Sequence, residues 1–408
     1  MSLAPDILRL AARNTLRHRG RSGLTLLAIA AGVAALVLAG GFIKDTVVEL
    51  GESMIRSQSG HLQVSREAWR PGSGSLAEEA RIEDPAPLRK PLGAPAGVRE
   101  VMFRTTFEGL LGNGRVGWAV VAEGIEPAPE ARLGTYIELV AGRQLVAGDE
   151  YAAVLGAGVA EALAVAVGDW VTLTTTTAAG AINLLEFEVV GVFRSFSKDY
   201  DARAVRVPLP AAQRLLDSPG VHVAVIHLAD TAATDRVAAT LRSSLGDGWR
   251  VRDWRELNPF YRQTVQLYRQ QFGFLVVVIL LAVLLSVGNA VNMGVHERAA
   301  EFGTLRACGS RGGLVRNLVL AESAMLGLAG ALLGVALGNG LALAISAMGI
   351  PMPPPPNSDI AYVALVRLSL PVSALAALTG ILAPVLAAVG PARRAARRDI
   401  ADALRQAV

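Results

Sequence analysis

The sequence predicts a membrane protein of four transmembrane α-helices, with a large α+β extracytoplasmic domain between spans 1 and 2 and both termini in the cytoplasm. Three observations lead there. Residues 24–43, 272–291, 314–348 and 372–389 are apolar runs, and roughly 17–25 such residues carry a helix across a bilayer. Between the first two runs the chain changes character, to short β-like stretches broken by Gly, Pro and Asp. The charge is also divided: residues 45–268 hold 22 Lys+Arg against 28 Asp+Glu, net −6, whereas the rest of the 408 residues holds 17 against 7, net +10. Positive charge beside apolar runs marks the cytoplasmic flank of a membrane helix. It accounts for the overall +4 and the pI near 9.5 without a basic nucleic-acid face.

Residues 1–22 are expected to form an amphipathic helix on the inner membrane surface. Leu3, Ile7, Leu10 and Ala11 share one face, and Arg9, Arg13 and Arg17 recur every four residues on another, toward lipid phosphates. A solvated helix is the plainer alternative. Residues 23–57 comprise span 1 and a stalk. A cleaved signal peptide has a similar basic start, but its apolar stretch is shorter, roughly 7–15 residues, so this span is read as retained. The helical pattern continues through Val47, Val48, Leu50, Met54 and Ile55, with Gly51 as an expected interruption.

Residues 58–257 form the extracytoplasmic domain, with strands near 61–65, 117–124, 170–177, 186–192 and 221–228 and helices near 158–165 and 234–245. Residues 73–95, rich in Pro and Gly beside acids, are expected to be a loop outside the core. All five tryptophans lie in this domain, and none is placed to form an aromatic belt. Span 2 and a second stalk occupy 258–295. A continuous helix from 260 to 295 would measure roughly 54 Å at 1.5 Å per residue, well beyond a hydrocarbon core of about 30 Å, so two stalks would lift the domain clear of the bilayer.

Span 3, residues 314–348, contains one acid, Glu322, expected to face the bundle or pair with Arg316, or to transmit motion. Gly330, Gly334 and Gly338 make two overlapping GxxxG patterns, which permit close helix packing without naming the partner. Residues 349–370 form an external loop stiffened by prolines, with Arg367 its one basic residue. Residues 371–390 are span 4, with Pro384 an expected kink. The cytoplasmic tail, 391–408, carries Arg393, Arg394, Arg397 and Arg398.

Several chemistries are excluded or unsupported. The glycine-rich run from Gly109 to Arg115 lacks the Lys-Ser/Thr pair of a P-loop. The five histidines include no i, i+4 pair, and His222 and His227 fall on opposite faces of a strand, so ordinary surface histidines are expected. There is no G-x-S-x-G elbow, and the single cysteine, Cys308, rules out an internal disulfide. The chain is expected to be a non-enzyme with no cofactor of its own.

What remains is the charged segment 296–313 between spans 2 and 3. Glu297 and Glu301 stand at i, i+4, Phe302 and Leu305 at i, i+3, and Gly309 is a stop signal. This predicts a short cytoplasmic helix with an acidic edge and an exposed apolar knob. Composition equally allows a solvated hairpin that joins two spans.

The run Val295-His296-Glu297-Arg298-Ala299-Ala300-Glu301-Phe302-Gly303-Thr304-Leu305-Arg306-Ala307-Cys308-Gly309, followed by Leu320-Ala321-Glu322-Ser323, resembles the E-R-x-x-E-[IF]-G-x-L-R-A-x-G … E signature of permease subunits of the MacB/FtsX/LolC-LolE type of ABC transporter. Val154-Leu155-Gly156, Leu163 to Asp169 and Phe187 to Phe193 resemble that family's outer-domain core, and Ser59 to Val64 the domain entry in its lipoprotein-releasing branch. Cys308 is a mild departure from the usual aliphatic residue. The resemblance implies a multi-pass inner-membrane protein with its large domain in the periplasm. It implies that a second permease subunit pairs with this one, as homo- or heterodimer, and that a separate ABC ATPase subunit binding ATP and Mg docks on Glu297, Arg298, Glu301, Phe302, Gly303, Leu305, Arg306 and Gly309. A periplasmic chaperone or adaptor is the further partner it suggests. Motion of the ATPase would pass along the stalks to release a hydrophobic cargo such as a lipoprotein. FtsX-like signalling to an outer partner, or MacB-like efflux with an adaptor, are the alternatives.

Overall fold

The computed structural model describes residues 9–14, 17, 19–69, 80–133, 137–177, 179–352, 362–363 and 365–398. They divide into two compact units: Met1–Val47 with Val265–Pro351 and Val363–Val408, and Val48–Thr264 with Met352–Tyr362. The main helices are α1 (Arg19–Met54), α2 (Ala86–Gly93), α3 (Pro127–Leu133), α4 (Ala157–Leu163), α5 (Leu209–Leu216), α6 (Thr234–Leu245), α7 (Pro259–Glu297), α8 (Ala299–Ala307), α9 (Gly312–Met348) and α10 (Leu370–Arg397).

In the first unit α1, α7, α9 and α10 are each long and apolar enough to cross a membrane, as the four runs predict. The glycine stripe of α9 has a partner within the chain, span 1. A Cβ on Gly330 would lie 2.7 Å from Ile29 Cγ2, one on Gly334 2.6 Å from Val33 Cβ, and one on Gly338 2.8 Å from Val37 Cβ. Bare backbone lets α1 and α9 approach closely, and dispersion across that contact replaces the hydrophobic drive that lipid removes. Pro384 and Pro391 both lie inside α10, which continues past them. Of the expected N-terminal face, Leu3 and Ile7 lie outside the described residues; Ala11 is fully buried but Leu10 is half exposed, so the two do not share a buried stripe. The prolines 353–356 also lie outside the described residues.

The second unit is built on a ten-stranded sheet: β1 (Leu62–Arg66), β2 (Val98–Gly112), β3 (Gly117–Ile125), β4 (Glu138–Gly142), β5 (Ala152–Gly156), β6 (Trp170–Thr176), β7 (Ile182–Arg194), β8 (Ala204–Pro208), β9 (Val223–Leu228) and β10 (Trp249–Asp253). Their order is β10-β1-β9-β2-β3-β8-β5-β7-β4, with β6 paired to β2 and β7. The pairs β3–β8 and β5–β7 are parallel. The fifteen-residue β2 joins two lobes, its first half pairing with β9 and its second with β3 and β6. One core gathers Leu62, Val101, Phe103, Ile226, Val237 and Leu241 under α2 and α6, the other Phe107, Leu155, Phe187, Val205 and Leu215 under α4 and α5.

Three expectations are corrected here. Residues 80–95 are not a loop outside the core, because Ile82 pairs with Val221 across a β-bridge and Leu92 of α2 is fully buried; residues 73–79 lie outside the described part. Gly51 does not interrupt α1, which runs on to Met54. The glycine is there for approach, since a Cβ would meet the Trp254 ring at 2.8 Å. His61, His222 and His227 are buried rather than surface residues. His222 and His227 do point to opposite faces; His227 stacks on His61 with centroids 5.1 Å apart, and His222 Nδ1 accepts from Thr106 N–H at 3.2 Å.

Burial, and for His61 also the neighbouring His227, lowers the pKa of His61 and His222 from 6.5 to about 4. Both are neutral when folded. Between about pH 4 and 6.5 the unfolded chain binds the extra protons, so stability rises with pH across that window. At 1.36 kcal/mol per unit each histidine accounts for about 3 kcal/mol. The α+β domain should therefore melt at lower temperature at pH 4.5 than at pH 7, with His222→Gln reducing the slope. A slope unchanged by that substitution would remove His222 from the account.

Candidate coupling site

The segment between α7 and α9 is shaped by three features. The first is Arg298, whose backbone (φ −101°, ψ 17°) breaks the helix after Glu297 while its N–H still reaches Gly294 O at 3.2 Å and its carbonyl accepts from Phe302 N–H at 3.1 Å. The second is Gly309, at φ 89°, which turns the chain so that its N–H bonds Arg306 O at 3.0 Å and Ser310 N–H bonds Leu305 O at 3.2 Å. That pair of bonds is the Schellman arrangement, and it satisfies two carbonyls that a helix end leaves free. The third is Phe302, buried among Val295, Val315, Leu318, Val319 and Ala392.

Arg298 is the hub. Its side chain is 9% exposed and that of Glu322 17%. Nη1 donates to both Glu322 oxygens, at 3.0 and 2.9 Å, and Nε to Glu301 Oε2 at 2.9 Å. The guanidinium lies over the Phe302 ring at 4.9 Å. Asn14 Nδ2 donates to Glu322 Oε1 at 2.8 Å. Beside this cluster is a cavity of about 60 Å³, lined by Asn14, Ser22, Arg298, Phe302, Glu322 and Ser323 among others.

The geometry redistributes the roles expected from spacing. Phe302 is not an exposed knob but the anchor of α8, and Gly303 is buried beside it. Glu322 pairs with Arg298 and not with Arg316, whose guanidinium bonds Asn317 Oδ1. The acidic edge is divided: Glu297 belongs to α7 and is exposed, whereas Glu301 is paired with Arg298 and lies 3.7 Å from Arg17 Nη1. Arg306 Nη1 donates to Arg398 O, capping the end of α10. Leu305, 39% exposed, is the large apolar side chain that α8 offers outward, with Thr304, Ala307 and Cys308 beside it. Asn14 escaped the sequence reading, since nothing in its surroundings signals a partner 308 residues away.

Residues 22–244 match the family model of the MacB-like periplasmic core domain, and residues 273–400 that of the FtsX-like permease C-terminal region. The lipoprotein-releasing system transmembrane protein LolC of Neisseria meningitidis serogroup B is 29% identical over 57% of this chain and 58% of its own length. LolC of Xylella fastidiosa is 24% identical over 96% of both chains. The macrolide export ATP-binding/permease protein MacB of Bdellovibrio bacteriovorus is 26% identical over 81% of this chain and 52% of its own length. The chain thus spans less than two thirds of the meningococcal and Bdellovibrio relatives. The α+β sheet between the first two membrane helices is the MacB-like core domain, the other three membrane helices carry the FtsX-like region, and the chain belongs to the MacB/FtsX/LolC-type family of ABC transporter permeases.

Proposed function

We propose that the chain is a permease subunit that couples ATP hydrolysis by a separate cassette subunit to the release of a hydrophobic cargo, a lipoprotein, on the periplasmic side of the inner membrane. The observation that carries this reading is α8: a nine-residue helix pinned by a buried ion pair at its start and a Schellman turn at its end, with Leu305 facing outward. A helix held this firmly can receive a push without folding away. In this reading α8 faces the cytoplasm, ATP and Mg belong to the cassette subunit, two permease subunits pair, and a periplasmic chaperone or adaptor takes the cargo. Both LolC relatives are named for lipoprotein release, which supports the cargo class. MacB-like efflux is the second reading, favoured by the match to the Bdellovibrio protein over 81% of this chain.

The test is reconstitution with the cassette subunit in liposomes, with an acylated peptide or a macrolide as cargo. The chain alone should hydrolyse no ATP, and the cassette subunit's rate should rise when the two are combined. Burying a leucine is worth about 1.5–3 kcal/mol, so Leu305→Asp should weaken docking on the order of 10–100-fold. Export of the macrolide with no release of the acylated peptide would select the second reading. Hydrolysis by the chain alone, or docking undiminished in Leu305→Asp, would overturn the first.

A further inference from the structure

The last turn of α1 does not end in solvent. After Met54 the helix widens into a π-turn, Ile55–Ser59, closed by Gly60 at φ 64°, and Gly60 N–H bonds Ile55 O at 2.9 Å. The carbonyls at a helix end lack intrahelical donors and carry its negative pole. Two of them are taken by arginines from different strands. Arg104 of β2 donates Nη1 to Gln58 O, and Arg206 of β8 donates Nη2 to Ser57 O at 2.8 Å.

Both arginines are 3% exposed, and both also bond carboxylate or phenol groups within the sheet domain. Arg104 Nε and Nη2 grip Glu130 of α3, the latter at 2.7 Å. Arg206 Nε lies 3.4 Å from Glu123 Oε2, and its Nη2 reaches the Tyr200 hydroxyl at 3.0 Å. Tyr200 in turn donates to Glu123 at 2.9 Å, and burial pushes its hydroxyl above the ordinary value, which keeps it a donor. Two cations and two carboxylates therefore balance inside the sheet beside the phenol, while Arg104 Nη1 and Arg206 Nη2, the latter shared with Tyr200, hold the helix end. Burying four charges is costly and adds little net stability against apolar residues of equal volume. What such a network supplies is a defined geometry, and β2 and β8 belong to the sheet on which both cores are built.

We propose that Arg104 and Arg206 are positioning residues that clamp the end of the first membrane helix to the sheet, so that helix end and sheet move as one body. Its use in passing motion to the cargo domain rests on the proposed function; the clamp itself does not. Arg104→Lys with Arg206→Lys keeps both buried charges but lacks the second arm that reaches the helix carbonyls. In full-length chain carrying Cys308→Ser, spin labels at Val48→Cys and Glu108→Cys should give one narrow distance distribution. The double lysine variant should widen it about twofold, and hydrogen exchange at the Gly60 amide should speed up while strand amides such as Val225 stay protected. An unchanged distribution in the variant, a broad one in the unsubstituted chain, or equal acceleration at Val225 would each overturn the clamp. Failure of the chain to stimulate its cassette subunit would instead overturn the proposed function and leave the label measurement standing.

Discussion

Arg298→Ala is expected to release α8 and to cost about 3–5 kcal/mol, the usual consequence of removing one partner from a buried ion pair. The reason lies with what stays behind. Glu322 would keep Asn14 as a donor but lose the two bonds from Arg298, and Glu301 and the Phe302 ring would lose the guanidinium that joins them. Arg298→Met together with Glu322→Leu removes both charges and should recover most of that loss, because packed apolar side chains replace a buried pair at little net cost. Thermal melting in lipid, with cassette stimulation measured alongside, checks both statements. If Arg298→Ala melts with the unsubstituted chain, the hub does not hold α8.

Gly334→Leu should be strongly damaging to the packing of the membrane helices. Its Cβ alone would stand 2.6 Å from Val33 Cβ and 2.7 Å from the Ala30 carbonyl oxygen. A backbone neighbour cannot swing aside, so α1 and α9 would have to separate. Overpacking costs typically about 1–3 kcal/mol, and here the separation would also forfeit the contacts at Gly330 and Gly338. Gly340→Leu is the control, since that position has no atom within 4 Å of a Cβ. Folded yield and melting temperature should fall for Gly334→Leu and hold for Gly340→Leu. Equal behaviour of the two would mean that the α1–α9 contact is not a close one.

Much of the α+β domain could be located from sequence but not assembled from it. β3 and β6 are recognisable from composition and punctuation, and Thr234–Leu245 from its helical period. β5 and β8 are five-residue strands buried at every position. The apolar run of β5 shows no alternation and, that short, cannot be told from a helix fragment by periodicity, while Arg206 in the middle of β8 hides a strand that is buried throughout. β2 changes partners midway, so one face of it serves two cores and no single pattern describes it. Residues 80–95 read as a loop because proline and glycine dominate locally, yet Ile82 and Leu92 enter the core through one β-bridge and one short helix.

At the segment between α7 and α9 the division is clearer still. The stop at Gly309 and the apolar runs on both sides follow from local rules, because backbone conformation and transfer of apolar surface are properties of neighbouring residues. Sequence by itself therefore placed a charged segment with a glycine stop between two apolar runs, open to a short helix or a solvated hairpin, and marked Gly330, Gly334 and Gly338 as a packing stripe. Which side chain faces where depended on partners distant in the chain. Phe302 faces inward because Val315 and Ala392 build a pocket for it, and Glu322 is held by Arg298 and Asn14. Arg306 was taken up by the end of α10, and the glycine stripe by Val33 and its neighbours. Burial and ion pairing are set by what lies within a few ångströms in space, and only the tertiary structure brings residues 14, 298 and 322 that close.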